Sequence, residues 1–344
     1  MREILKVVFV IIGGIIGAGF ASGEEIYLFF YSYGKKGILG LIICSILMGF
    51  IISKVLNIVN ENKINNYKEL LEKLIKHPQK REYFNISYIT NIIINIFLLI
   101  TFYIMVAGFG AYFKQELGLS NMLGASIIAI ICLIVLMTSV KGVVKVSSSL
   151  IPILIIFILI IGIKNFLTIN LEDISKNIIE NTTGNWLLES IIYCSYNSIL
   201  LIPMLITLKK YLKDKKQIKI ISIISAISIF ILSICIYMLL VKVDINFAEL
   251  EMPSVYVISK FFSQFKTIYG LIILISIFTT SISIGLSFLN NITKNRKSYT
   301  QIGTIMCITS IVISNFGFSN LVKILYPVFG YMGIVQILLL FKDR

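Results

Sequence analysis

Apolar residues run along this chain in long blocks separated by short polar, lysine-rich stretches. Ten blocks are long enough to cross a bilayer as helices. They fall at about 6–33, 37–58, 85–113, 121–139, 147–165, 186–208, 217–241, 268–290, 299–315 and 320–341. Roughly 20 apolar residues in helical form match a hydrocarbon core about 30 Å thick, so the pattern predicts an all-α integral membrane protein. Two longer polar connections, 59–83 and 242–266, each hold an amphipathic piece, Tyr67 to Ile75 and Val255 to Phe265, which are read as connector helices at the bilayer interface. A third, between the fifth and sixth blocks, carries Glu172, Asp173, Asn181 and Gly184.

The basic residues orient the chain. Ten spans place both termini on one side. With that side taken as the cytoplasm, 22 of the 31 Lys and Arg fall inside and 9 outside. This is the positive-inside bias, and it supports both the orientation and the span count. Ten also divides into two sets of five, approximately 6–165 and 186–341, within a single transmembrane domain. An odd number of spans per set gives the sets opposite orientations, which is the inverted-repeat plan. That plan predicts corresponding interruptions in spans one and six.

The first block supplies one interruption. Gly13, Gly14, Gly17, Gly19 and Gly23 crowd its middle, and Glu24 and Glu25 follow at once. Glycine weakens a helix and lets backbone approach a ligand, and carboxylates at membrane depth are costly and usually functional. The stretch therefore reads as a broken membrane helix lining a polar cavity. The alternative for the glycines is close packing of helices through small residues. Span six offers Tyr193, Ser195, Tyr196, Asn197 and Ser198 near its middle, with Pro203 beyond, and a break is expected at 195–198. These side chains either line a substrate pocket or tie helices together.

Glu25 has two compatible readings. Ser22-Gly23-Glu24-Glu25 fits the S-x-x-E spacing of a capping box, in which Glu25 satisfies the backbone amide of Ser22. It can also take up a proton or attract a cation. Burial favours its neutral acid, while a half-helix N-terminus favours its anion. No lysine or arginine stands in the middle of any span to pair with it.

Composition narrows the function. At 57% hydrophobic and 14% charged, the chain is a polytopic membrane protein and not a soluble one. The net charge of +14 belongs to the loops and does not indicate nucleic-acid binding. Cys44, Cys132, Cys194, Cys235 and Cys307 lie scattered in apolar segments without a CxxC pair, as small buried hydrophobes. The single histidine, His77, sits in a charged loop, so a histidine-based metal or catalytic centre is not expected. Arg2, Lys6 and Ala18-Gly19-Phe20-Ala21 imitate a cleavable signal, but the apolar run resumes at Ile26 and further spans follow. Neither a G-x-S-x-G nor an H-E-x-x-H motif is present, and there is no ATP-binding P-loop. The chain is therefore read as a non-enzyme without a cofactor. Any transport it performs must be facilitated or coupled to an ion.

Three segments carry a family resemblance. IIGGIIGAGFASGEEIYLFF in span one resembles the opening motif of the YkvI-like bacterial membrane proteins, and YCSYN in span six and YPVFGYMG in span ten resemble further motifs of that group. The likeness covers essentially the whole chain. That family is similar to the larger amino acid–polyamine–organocation superfamily, whose members share the five-plus-five inverted repeat of LeuT with helices one and six broken. The resemblance implies a bacterial cytoplasmic membrane location and a transporter mechanism, without naming the solute. It makes Gly17, Ala18, Gly19 and Phe20 the unwound segment whose amides hold a substrate carboxylate. Read from the residues themselves, Ser22 and, in span six, Tyr193, Ser195, Tyr196 and Asn197 are further candidates for the substrate pocket, and Gly13, Gly14, Glu24 and Glu25 for ion coupling. To these the likeness to sodium symporters adds Thr279, Thr280 and Ser281. A sodium ion would sit on Thr280 and Ser281, or on Thr279 and Thr280, with carbonyls of span one. The alternative for these hydroxyls is bonding to the preceding turn of their own helix. The coupling ion is Na+ or H+.

The expected function is a secondary transporter of a small organic solute, an amino acid or related zwitterion, with the solute and the lipid bilayer as its partners. The competing reading is a small-molecule receptor subunit resembling those of spore-germinant receptors, which would depend on neighbouring subunits where a transporter would not.

Overall fold

The computed structural model describes residues 2–65, 67–74, 81–138, 140–169, 184–243, 247, 250–293 and 295–342. His77, Glu172, Asp173 and Asn181 lie outside them. Among the described residues every regular element is helical. The first block is divided into α1 (Arg2–Ile15), α2 (Ala18–Ala21) and α3 (Glu24–Ile26), the last running into a π-helical turn, Tyr27–Tyr31. Then follow α4 (Lys35–Asn62), the short amphipathic α5 (Tyr67–Leu74), α6 (Arg81–Leu117), α7 (Asn121–Thr138) and α8 (Val140–Thr168). The second half comprises α9 (Trp186–Thr207), α10 (Lys215–Val241), a second short helix α11 (Pro253–Phe261), α12 (Lys266–Ile292), α13 (Arg296–Ile313) and α14 (Phe318–Lys342). Six of these, α4, α6, α9, α10, α12 and α14, are long and apolar enough to cross a membrane, and α7 and α8 hold shorter apolar stretches.

Side-chain caps set the starts of α9, α10 and α13. Asn185 accepts from the amides of Leu187 and Leu188, Asp214 from that of Gln217, and Asn295 from that of Ser298. Each satisfies amides that the first turn leaves without a partner.

The exposed faces match a lipid solvent. Leu39, Ile42, Ile46 and Phe50 form one exposed stripe on α4, and Ile153, Ile156, Ile160, Ile163 and Leu167 form another on α8. Ile324, Val328, Tyr331, Val335 and Leu338 do the same on α14. Steps of three and four residues keep each stripe on one helix face. Apolar stripes this continuous would associate in water, and in a bilayer they are simply solvated.

Inside, α9 packs on α4, α14 and α1, and α10 on α4 and α1. α6 lies between α7 and α12 and also meets α13 and α14, while α8 bridges to α10, α12 and α1. α7 packs on α13 and α12, and α12 meets α13. One expectation is corrected. The sixth span is not broken at 195–198: α9 is a continuous α-helix from Trp186 to Thr207, with Pro203 inside it. Its polar groups bond to their own preceding turns. Ser195 Oγ donates to the carbonyl of Ile191 (2.6 Å), Asn197 Nδ2 to Tyr193 (3.0 Å) and Ser198 Oγ to Ser195 (2.7 Å). With those groups satisfied inside the helix and no glycine in the segment, nothing forces the backbone to unwind.

Candidate functional site

The break in the first block has two parts. Gly17 N–H bonds to Ile15 at 2.9 Å instead of continuing the α-helical ladder, which ends α1. At Gly23 the backbone is left-handed, with φ of 82°. A side chain there would also meet Ser254, whose Oγ lies 2.2 Å from where a Cβ would stand. Glycine is the residue that tolerates both conditions.

The carbonyls at the break are held by protein donors. Ser22 Oγ donates to Gly19 (3.1 Å), the Gly23 amide to Phe20 (3.1 Å), and the Tyr269 hydroxyl to Ala21 (2.5 Å). The Ser254 amide, at the start of α11, donates to Ser22 (2.8 Å). Thus α11 and α12 hold the unwound segment in place. Tyr269→Phe should leave the buried Ala21 carbonyl unsatisfied, at a cost of about 1–3 kcal/mol. A fall in the thermal unfolding midpoint of the purified protein checks this.

The capping box is not formed, which corrects that reading. Gly23 occupies the cap position of α3 without a side-chain cap, and Ser22 stands one residue too early for Glu25 to complete the pattern. Instead the two acids leave α3 in different directions. Glu25 Oε2 accepts from the Tyr196 hydroxyl of α9 at 2.5 Å, and Tyr193 lies beside the same carboxylate. Its other oxygen rests against Gly19, where a Cβ would come within 2.1 Å of Oε1. Glu24 Oε1 accepts from the Ser319 hydroxyl of α14 at 2.5 Å, while its Oε2 has no hydrogen-bond partner among the described residues. Both acids are buried, at 0% and 4% exposure for Glu24 and Glu25. Successive helical residues point about 100° apart, and this sends the pair to two different helices.

Aromatic rings close around Glu25. Tyr196 lies 5.3 Å from Tyr193 and 4.5 Å from Tyr326 of α14, and Phe29 lies 5.4 and 5.7 Å from Tyr193 and Tyr196. Among the described residues Glu25 has no ion-pair partner. The remaining expected residues are placed as follows. Gly13 and Gly14 lie within α1, before the break, and Gly14 packs against Met204 of α9. Phe20 and Ser22 are buried, and Gly17 is half-buried and adjoins open space. On α12, Thr279 Oγ1 donates to Ser276 (3.1 Å) and Ser281 Oγ to Ile277 (2.7 Å), both within their own helix. Ser281 lies beside Cys132 of α7, and Thr280 is half-buried. All five cysteines are free and buried.

Sequence reasoning did not single out Ser254, Tyr269, Ser319 or Glu251. Glu251 Oε2 accepts from the Ser319 amide at 2.8 Å, and so shares Ser319 with Glu24. Glu251 also lines an open cleft of about 530 Å³ with Lys114, Asn121, Asn315 and Asn320. No local signal marks these residues, because their partners lie 68 to 295 positions away.

No family model matches the chain. It is 27% identical over 341 residues to YkvI of Bacillus subtilis, described as an uncharacterized membrane protein, covering 96% of this chain and 93% of that one. It is 25% identical over 335 residues to YyaD of the same bacterium, an uncharacterized protein, covering 97% and 94%. The YkvI-like resemblance therefore extends from end to end. Among solved structures, MhsT in complex with L-phenylalanine superposes with a TM-score of 0.64 at 16% identity, over 97% of this chain and 87% of that one. The manganese transporter of Eremococcus coleocola gives 0.64 at 12%, over 97% and 77%. A Na+-coupled sialic acid symporter gives 0.57 at 12%, over 96% and 76%. These neighbours are transporters and not enzymes, and at such identities they establish the fold, that of the LeuT class.

Proposed function

We propose that this chain is a secondary, ion-coupled transporter of a small organic solute of the amino-acid or related zwitterionic class. The observation that carries the reading is the first block. It is broken inside the bundle, and the break sets a buried carboxylate, Glu25, which has no ion-pair partner among the described residues, against the tyrosine-rich face of α9. A buried charge is retained at such cost where it binds or moves something. MhsT, with the same fold, holds L-phenylalanine, which supports the amino-acid class.

Ten spans in two inverted repeats, with both termini cytoplasmic, complete the proposal. The packing supports it. Counting α1, α4, α6, α7 and α8 as one to five, and α9, α10, α12, α13 and α14 as six to ten, and leaving aside α2, α3 and the π-helical turn, each packed pair has its counterpart five places along. Block one on seven corresponds to six on two, and five on eight to ten on three. Five on seven corresponds to ten on two, and three on nine to eight on four. The short helices α5 and α11 occupy equivalent positions before the third member of each half. In this reading Gly17, Ala18, Gly19, Phe20 and Ser22 receive one end of the solute, and Tyr193, Tyr196 and Asn197 of α9 face the other.

The test is uptake by purified protein in liposomes against a panel of amino acids, under separate sodium and proton gradients. Uptake of one class above protein-free liposomes, driven by either gradient, is expected. Absence of uptake across the panel under both gradients overturns the reading.

A further inference from the structure

We propose that the ion held at Glu25 is a proton, and that its arrival releases Tyr196 from Glu25 to make room for the solute. This deepens the transporter reading and rests on it.

Little space is left around the Glu25 carboxylate. Oε2 is occupied by the Tyr196 hydroxyl at 2.5 Å, and Oε1 lies against the backbone of Gly19. Phe29, Tyr193, Tyr196 and Tyr326 fill the surroundings at ring separations of 4.5 to 5.7 Å. A metal cation needs several oxygen ligands at once, whereas a proton needs no added room.

The carbonyls of Gly19, Phe20, Ala21 and Ser22 each serve a protein donor. Thr279 and Ser281 donate within α12, and among the described residues neither they nor Thr280 bonds to Glu25. The charge balance agrees. The titratable side chains facing Glu25 are Tyr193 and Tyr196 of α9 and Tyr326 of α14. α2 and α10 present no charged group to it among the described residues. Glu24, next in the chain, faces Ser319, with Lys323 and Glu251 around it.

The geometry of the bond supplies the second half of the proposal. A phenol–carboxylate distance of 2.5 Å is that of a charge-assisted O–H···O⁻ bond, about 2.5–2.7 Å and roughly twice as strong as a neutral one. This bond ties the broken helix to α9. A proton from water, arriving on the Glu25 carboxylate, gives the neutral acid and hydroxide or, from hydronium, the acid and water. The bond from Tyr196 then loses its charge assistance, and the phenol is free to turn toward a solute.

Infrared difference spectra of the purified protein in liposomes, recorded as the pH is lowered, test this without a transported solute. A failure of uptake therefore leaves the test standing. A carboxylic-acid carbonyl band should grow as pH falls, disappear in Glu25→Gln and persist in Glu24→Gln. A phenol C–O band should shift as the acid band grows, because the Tyr196 hydroxyl leaves the carboxylate, and that shift should be lost in Tyr196→Phe. The acid band should not change when sodium replaces potassium. Should Glu25→Gln fail to fold, the loss of the phenol shift in Tyr196→Phe carries the assignment. The proposal is overturned by the absence of the acid band wherever the protein stays folded, or by its survival in Glu25→Gln. Its loss in Glu24→Gln, a phenol shift that persists in Tyr196→Phe, or suppression of the acid band by sodium at fixed pH overturns it equally.

Discussion

Glu25→Gln is expected to abolish accumulation of solute against its gradient while leaving counterflow exchange within about threefold of the unmutated protein. Accumulation requires the ion and the solute to be tied in one cycle, and glutamine cannot take up or release a proton. Exchange requires only that loaded protein reorient, and glutamine, nearly the shape of the acid, still accepts from Tyr196. The variant should fold, because Glu25 caps no helix in this structure: its carboxylate goes to Tyr196 and Gly19, not to an amide at the start of α3. Parallel measurements of accumulation and counterflow in the same liposomes check the split. Full accumulation by the variant across the working pH range would show that Glu25 serves the structure alone.

Gly23→Ala is expected to destabilise the protein by at least about 2 kcal/mol. The left-handed backbone alone costs a residue with a Cβ roughly 1–2 kcal/mol. The new methyl must also displace Ser254, whose Oγ would stand 2.2 Å away and whose amide nitrogen 3.1 Å away. That amide bonds to Ser22, so relief of the clash weakens the contact through which α11 secures the break. Gly17→Ala is the control. It lies in the same glycine-rich stretch but has no positive φ and nothing within 4 Å of a Cβ. Thermal unfolding in detergent should show a marked fall for Gly23→Ala and almost none for Gly17→Ala.

The two glycines look alike in the sequence, yet only Gly23 has a positive φ. Block lengths and lysine positions are set by the bilayer, so the helical segments and the amphipathic α5 and α11 were legible. So was the break in the first block, because glycines followed by two acids cannot form an ordinary membrane helix. Span six was misread for a definite reason. A run of Tyr, Ser and Asn has the same composition whether its polar groups face a cavity or bond back to the turn before, and here Ser195, Asn197 and Ser198 do the latter. The capping box failed on a single position, since Gly23 and not Ser22 begins α3. The divergence of Glu24 and Glu25 was available from helical geometry alone. Their partners, Ser319 and Tyr196, were not, because contacts across 295 and 171 positions leave no local trace.

That divergence has a mechanical meaning. α3 starts at a glycine and runs on into the π-helical turn, and one of its acids is tethered to α9 while the next is tethered to α14. Both tethers are made at once, from neighbouring residues of one short helix. They act like two guy ropes on a single pole: each bond stops the rotation about the axis that the other alone would allow. Cutting either one returns that freedom to the segment.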